Sequence, residues 1–146
     1  MTRPISHLIV HCSASPASAD IGVAEIRRDH IARGFNDTGY HHVIRRNGRV
    51  EVGRPEDQIG AHAHGFNSTS IGICLVGGAD KQGRGEANYT AAQMATLGRL
   101  LAQLLTKYPG AKVMGHRDTG AQKDCPSFDI TRWLETGDLT QPRLAA

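Results

Sequence analysis

The run Ile71–Val76 (IGICLV) is apolar at nearly every position and is bounded by Ser70 and by Gly77-Gly78. A strand with one wet face alternates apolar and polar residues, whereas a strand apolar throughout needs cover on both faces. A chain containing such a strand must therefore build a sheet with helices on its two sides, and this one has the segments to do so. His7 to Cys12 (HLIVHC) is a second short β-type run, closed by the turn-forming Ser13-Ala14-Ser15-Pro16. Val23, Ile26 and Ile31 recur at helical spacing and predict a first helix of about three turns, with Asp20 as its cap and Gly34 as its stop signal.

Tyr40–Arg46 and Arg49–Gly53 flank Asn47-Gly48, a dipeptide that tolerates the positive φ of a two-residue type I′ turn, so a hairpin is expected. Thr90 and Gln93 have capping-box spacing, and Met94, Leu97, Leu101, Leu104 and Tyr108 then share one face of a helix that Pro109-Gly110 ends. Ala111–Gly115 reads as a further strand and Asp129–Glu135 as a short last helix capped by Asp129. The order strand, helix, hairpin, strand, helix, strand, helix gives an α/β fold, a single mixed β-sheet flanked by helices, with residues 1–146 as one domain.

Charge and composition narrow the partners. Seventeen basic and fourteen acidic residues give a net charge of +3, but the tight basic clusters are limited to Arg27-Arg28 and Arg45-Arg46, so no nucleic-acid partner is expected. The apolar stretches fall short of the ~20 residues that span a bilayer, and no membrane segment is expected. Residues 1–12 lack the pattern of a secretion signal, which predicts synthesis and residence in a cytoplasm. Cys12, Cys74 and Cys125 form an odd set without Cys-x-x-Cys spacing, so each reads as a free thiol or a metal ligand.

His11, His116 and Cys125 stand at exits from predicted elements rather than inside an apolar stripe. Adjacent strands can bring the two imidazoles together at one edge of the sheet. Two imidazoles and a thiolate suit zinc, and three protein ligands leave a fourth position, the pattern of catalytic sites. With eight histidines present, a hydrogen-bonded buried His or a core Cys remains the competing explanation for each. Cys12 and Cys74 lie in strand runs and read as core. Successive residues of a strand face opposite ways, so at most one of His41 and His42 lines a cleft. His64 reads as exposed, and His7 and His30 carry no supporting context.

The strings IVHCSAS, GYHHVIRRNGRVEVGR, GAHAHGFNSTSIGICLVGG, YTAAQM and KDCPSFD, in that order, closely resemble the zinc-dependent N-acetylmuramoyl-L-alanine amidases (amidase type 2), in particular their phage branch. Peptidoglycan recognition proteins share the wider family. The resemblance covers about residues 8–135. It implies Zn2+ as cofactor, with His11, His116 and Cys125 as its ligands; Cys rather than Asp at the third position points to the phage branch. It also implies Tyr40 and Lys123 as catalytic residues and His62 as a substrate contact. The loop from His116 to Cys125 is one residue longer than in close relatives, and counting back from Cys125 places the change within Thr119–Gln122. The implied function is that of a phage endolysin, hydrolysing the amide between N-acetylmuramic acid and L-alanine of the stem peptide with zinc-activated water. The expected partner is peptidoglycan (muropeptide), and the expected state a monomer. Such an enzyme is made in the host cytoplasm and reaches the periplasmic wall once the membrane is permeabilised.

Overall fold

The computed structural model describes residues 3–139. Five strands and three helices follow in the order β1 (His7–Cys12), α1 (Val23–Ala32), β2 (His42–Ile44), β3 (Val50–Val52), β4 (Ser70–Leu75), α2 (Ala91–Lys107), β5 (Lys112–Gly115) and α3 (Ile130–Thr136). The strands form one sheet in the order β3-β2-β4-β1-β5, antiparallel between β2 and β3 and parallel elsewhere. This is the mixed sheet flanked by helices that the residue patterns require.

Alternation along the central strands sorts the core into two layers. Leu8 and Val10 of β1 and Ile71, Ile73 and Leu75 of β4 pack with Leu97, Leu101 and Leu104 of α2 and Ile130 of α3. The opposite face joins Val43 and Cys74 to Val23 and Ile26 of α1. Side chains there are smaller: Gly72 and Cys74 occupy β4, which leaves room above the sheet on the α1 side. α2 begins as expected, with Thr90 Oγ1 accepting from Gln93 N at 3.0 Å and Gln93 Oε1 accepting from Thr90 N at 3.0 Å. Asp129 caps α3 by accepting from Arg132 N at 3.1 Å.

Three local expectations are corrected. The hairpin connection is not a two-residue type I′ turn. Gly48 N donates to the Arg45 carbonyl, Arg45 pairs with Arg49, and Gly48 has φ +87° while Asn47 does not adopt positive φ, which makes a three-residue loop with a left-handed glycine last. Contacts with α2 select it. The Arg46 guanidinium reaches the Gln93 side chain and the carbonyls of Val76 and Asn88, and a Cβ at Gly48 would lie 2.8 Å from the Ala92 carbonyl oxygen. The cap of α1 is Gly22, not Asp20, its amide held by Glu25 Oε2 at 2.9 Å while Glu51 Oε1 accepts from Val23 N. Finally, Ile31 is 50% exposed, and the buried stripe of α1 is Val23, Ile26 and His30. Among the described residues, no helix is long and apolar enough to cross a membrane.

Glu56 staples the loop after the hairpin to the end of α2. Its carboxylate accepts from His42 Nε2 (2.7 Å), Lys107 Nζ (2.9 Å) and Tyr108 Oη (2.6 Å), while Arg3 donates to its backbone carbonyl. Burial pushes its pKa up, but the hydrogen bonds from Lys107, Tyr108 and His42 outweigh burial and hold it at about 2. A depressed carboxylate stabilises the fold above its ordinary pKa, and that stability drains away as pH falls from the ordinary value toward about 2. Its side chain is 17% exposed, so the contribution is of order 3 kcal/mol. Urea unfolding at stepped pH is expected to show Glu56→Gln losing correspondingly less stability than wild type across that window. Parallel curves for the two proteins would contradict this account of the staple.

Candidate metal centre and cleft

Parallel pairing of β1 with β5 creates the site. Val10 lies opposite Gly115, so the next residues along each chain, His11 and His116, emerge side by side with ring centroids 4.5 Å apart. His116 opens a short 3-10 turn, His116–Thr119, in which Thr119 Oγ1 donates to the His116 carbonyl. The loop then folds back on itself. Arg117 N donates to the Cys125 carbonyl at 2.8 Å, and the buried Arg117 guanidinium pairs with Asp124 at 3.1 Å. Gly115 is needed at the strand exit, because a Cβ there would sit 2.9 Å from Pro126 Cδ. These ties return Cys125 to the end of β1, where the Cys12 amide donates to its Sγ at 2.9 Å.

One donor atom from each of His11, His116 and Cys125 lies within 4.8 Å of the others. Burial pushes the pKa of His11 well below the usual imidazole range, with His62 and His116 adding to the effect. Burial and then Lys123 lower that of His116. Both rings are therefore neutral near pH 7 and carry a lone pair to donate. The Cys125 thiol is pushed well above its ordinary range by its hydrogen bond with the Cys12 side chain and by burial. A neighbouring dication reverses that balance and deprotonates a coordinating thiol. Two neutral imidazoles and one such sulfur are a donor set that suits zinc.

His116 and Cys125 line a cleft of about 500 Å³ whose wall also includes Tyr40, Lys123 and the α1 residues Glu25, Asp29, His30 and Arg33. Tyr40 stands with its ring 5.1 Å from that of His11 and 5.4 Å from that of His30. Burial, followed by the neighbouring thiols, raises its pKa well above the phenol range, so it keeps its proton.

The sequence profile of the N-acetylmuramoyl-L-alanine amidase family matches residues 1–128. The chain belongs to this family. The endolysin of Klebsiella phage KP32 is 53% identical over 134 residues, covering 92% of this chain and 88% of that one. The endolysin of Escherichia phage T7 is 51% identical over 132 residues, covering 90% and 87%. Among solved structures, the N-acetylmuramoyl-L-alanine amidase LysC from Clostridium intestinale superposes with a TM-score of 0.78 at 27% identity, over 93% of this chain and 85% of that chain.

The amidase thus brings His116, Cys125, Tyr40 and Lys123 to one cleft, with His11 buried directly behind its wall against His116 and Tyr40. His62 stands elsewhere. It is buried behind His11 rather than on the cleft wall, with its Nδ1 2.8 Å from His11 Nε2. His41 is fully buried and accepts from Gly72 N, while His42 turns to Glu56, so the alternation of the pair holds and neither lines the cleft. His64 is exposed. Cys74 is core, whereas Cys12 is buried but touches the cleft beside Cys125. His30 escaped the sequence reading. Its Nδ1 accepts from Gly39 N at 2.8 Å, a tie across residues 30–39 that the helical pattern of α1 does not announce.

Proposed function

We propose that this amidase hydrolyses the bond joining the lactyl carbonyl of N-acetylmuramic acid to the L-alanine of the stem peptide, with zinc held by His11, His116 and Cys125 and residues 1–146 acting as one catalytic unit. The observation that carries the reading is the clustering of those three donors at a cleft that His116 and Cys125 share with Tyr40 and Lys123. Zinc bound there supplies a Lewis acid for the carbonyl and lowers the pKa of water toward ~7. The protein supplies the rest. As the amide carbon becomes tetrahedral, negative charge gathers on the former carbonyl oxygen, and we assign its stabilisation to Lys123, whose position on the cleft wall supports that role. Tyr40, held protonated, donates a hydrogen bond to the substrate or passes its proton toward the leaving amine. The thirteen arginines and net charge of +3 favour approach to an anionic wall. The relatives' identity as phage endolysins supports a lytic role, in which a protein made in the host cytoplasm meets the wall after the inner membrane is breached.

Mass spectrometry of fragments from purified peptidoglycan tests this directly. The expected products are free stem peptides beginning with an L-alanine amine and glycan strands that keep intact glycosidic bonds and bear lactyl carboxylates. New reducing ends with peptides still attached, or peptides cut internally, would overturn the assignment.

A further inference from the structure

We propose that Phe66, Ser70 and His62 form a one-way hydrogen-bond relay that fixes His11 as its Nε2–H tautomer and so keeps His11 Nδ1 free for the metal. The inference deepens the metal reading above and rests on it. Its direction follows from the end of the chain. A carbonyl oxygen can only accept, so the single hydroxyl proton of Ser70 goes to Phe66 O, 2.8 Å away. The hydroxyl oxygen must then accept from its other neighbour, His62 Nε2 at 3.2 Å, which places the His62 proton on Nε2. A neutral imidazole has one N–H, so His62 Nδ1 is an acceptor, and the contact at 2.8 Å is a donation from His11 Nε2. His11 is left with its lone pair on Nδ1.

The surroundings are shaped to hold the His62 ring. A Cβ at Gly72 would fall 2.6 Å from its Cγ and 2.8 Å from its Nδ1, and one at Gly60 would fall 2.7 Å from its Cδ2. The ring therefore occupies a slot that two glycines, one in β4 and one in the preceding loop, leave open. The backbone is pinned as well: Asn67 Oδ1 accepts from the amides of His62 (2.8 Å) and Ala63 (2.9 Å). Ser70 is fully buried and His62 nearly so, which leaves the relay few competing solvent partners. Ligating histidines usually place their second N–H on a carboxylate, carbonyl or water, and loss of that partner weakens metal binding about 10–100-fold. Here a second imidazole takes that place, which makes His62 a positioning residue.

Zinc affinity of the purified full-length chain, measured by competition with a chromophoric chelator, tests the relay without reference to turnover. His62→Ala is expected to bind zinc about 10–100-fold more weakly. His62→Asn, whose amide oxygen can stand where Nδ1 stood, should recover most of that loss. Gly72→Ala, which displaces the ring while leaving every hydrogen-bonding group of the relay chemically unchanged, should fall with His62→Ala. Unchanged affinity in His62→Ala, or an Asn variant no better than Ala, would overturn the proposal. Long-range ¹H–¹⁵N correlation on the metal-free wild type should show His11 protonated at Nε2 and bare at Nδ1. An Nδ1–H tautomer overturns the relay even if every variant misfolds. A wild-type chain that takes up no zinc overturns the metal reading itself, and the tautomer spectrum tells that outcome apart from a failed relay.

Discussion

Cys125→Ser is expected to abolish both bound zinc and amide hydrolysis. A thiolate is a soft, strongly held ligand, and a serine hydroxyl in its place stays protonated and binds zinc weakly. The neighbouring Cys12 gives the control. Its thiol shares a hydrogen bond with Cys125 that a serine hydroxyl can replace, and the Cys12 backbone amide donates to the Cys125 sulfur whatever the side chain. Cys12→Ser should therefore keep one zinc per chain and most of its activity. Elemental analysis alongside a peptidoglycan turnover assay decides the matter. A Cys125→Ser protein with stoichiometric zinc and normal turnover would remove Cys125 from the site.

Lys123→Ala should retain its zinc while losing turnover by about 10²–10³-fold, the scale seen when one stabiliser of a developing oxyanion is removed. Lys123 lies on the cleft wall, and after burial its charge is the further cause that lowers the His116 pKa. Tyr40→Phe removes one hydroxyl, leaves the ring in place against His11 and His30, and is expected to behave in the same way. Paired zinc and rate measurements separate chemistry from scaffolding. Loss of zinc in either variant would make that residue structural and would withdraw its catalytic assignment.

Period and punctuation were enough to read the sheet and its helices, because β1, β4 and α2 are long enough to show a buried run or stripe and the short hairpin strands are marked by Asn47-Gly48 between them. Local errors arose where a distant contact decides. Asn47-Gly48 is compatible with two hairpin loops, and the choice is made by Arg46 reaching into the start of α2 and by Gly48 lying against Ala92. On α1, Ile31 is the more apolar residue, yet His30 completes the 23, 26, 30 stripe and finds a backbone donor at Gly39. In the site, the donor trio could be found from strand exits and from the resemblance of the flanking strings. The setting of His62 could not, since nothing local reveals that Gly60 and Gly72 open a slot for one ring. The same holds for Glu25, Asp29 and Arg33, which in sequence are an ordinary solvated helix flank and in three dimensions border the cleft.

The parallel arrangement of β1 between β4 and β5 carries a consequence for the order of events at the ribosome. β1 leaves the tunnel first, yet both of its hydrogen-bonding neighbours come from residues 70–75 and 112–115. Pairings of such long sequence separation close late, after the loop entropy between them has been overcome. His11 therefore waits for more than a hundred residues of further synthesis before His116 and Cys125 exist to face it. A nascent chain that ends before the last strand of the sheet and the loop after it holds no assembled donor cluster, because His116 and Cys125 arrive only with those residues.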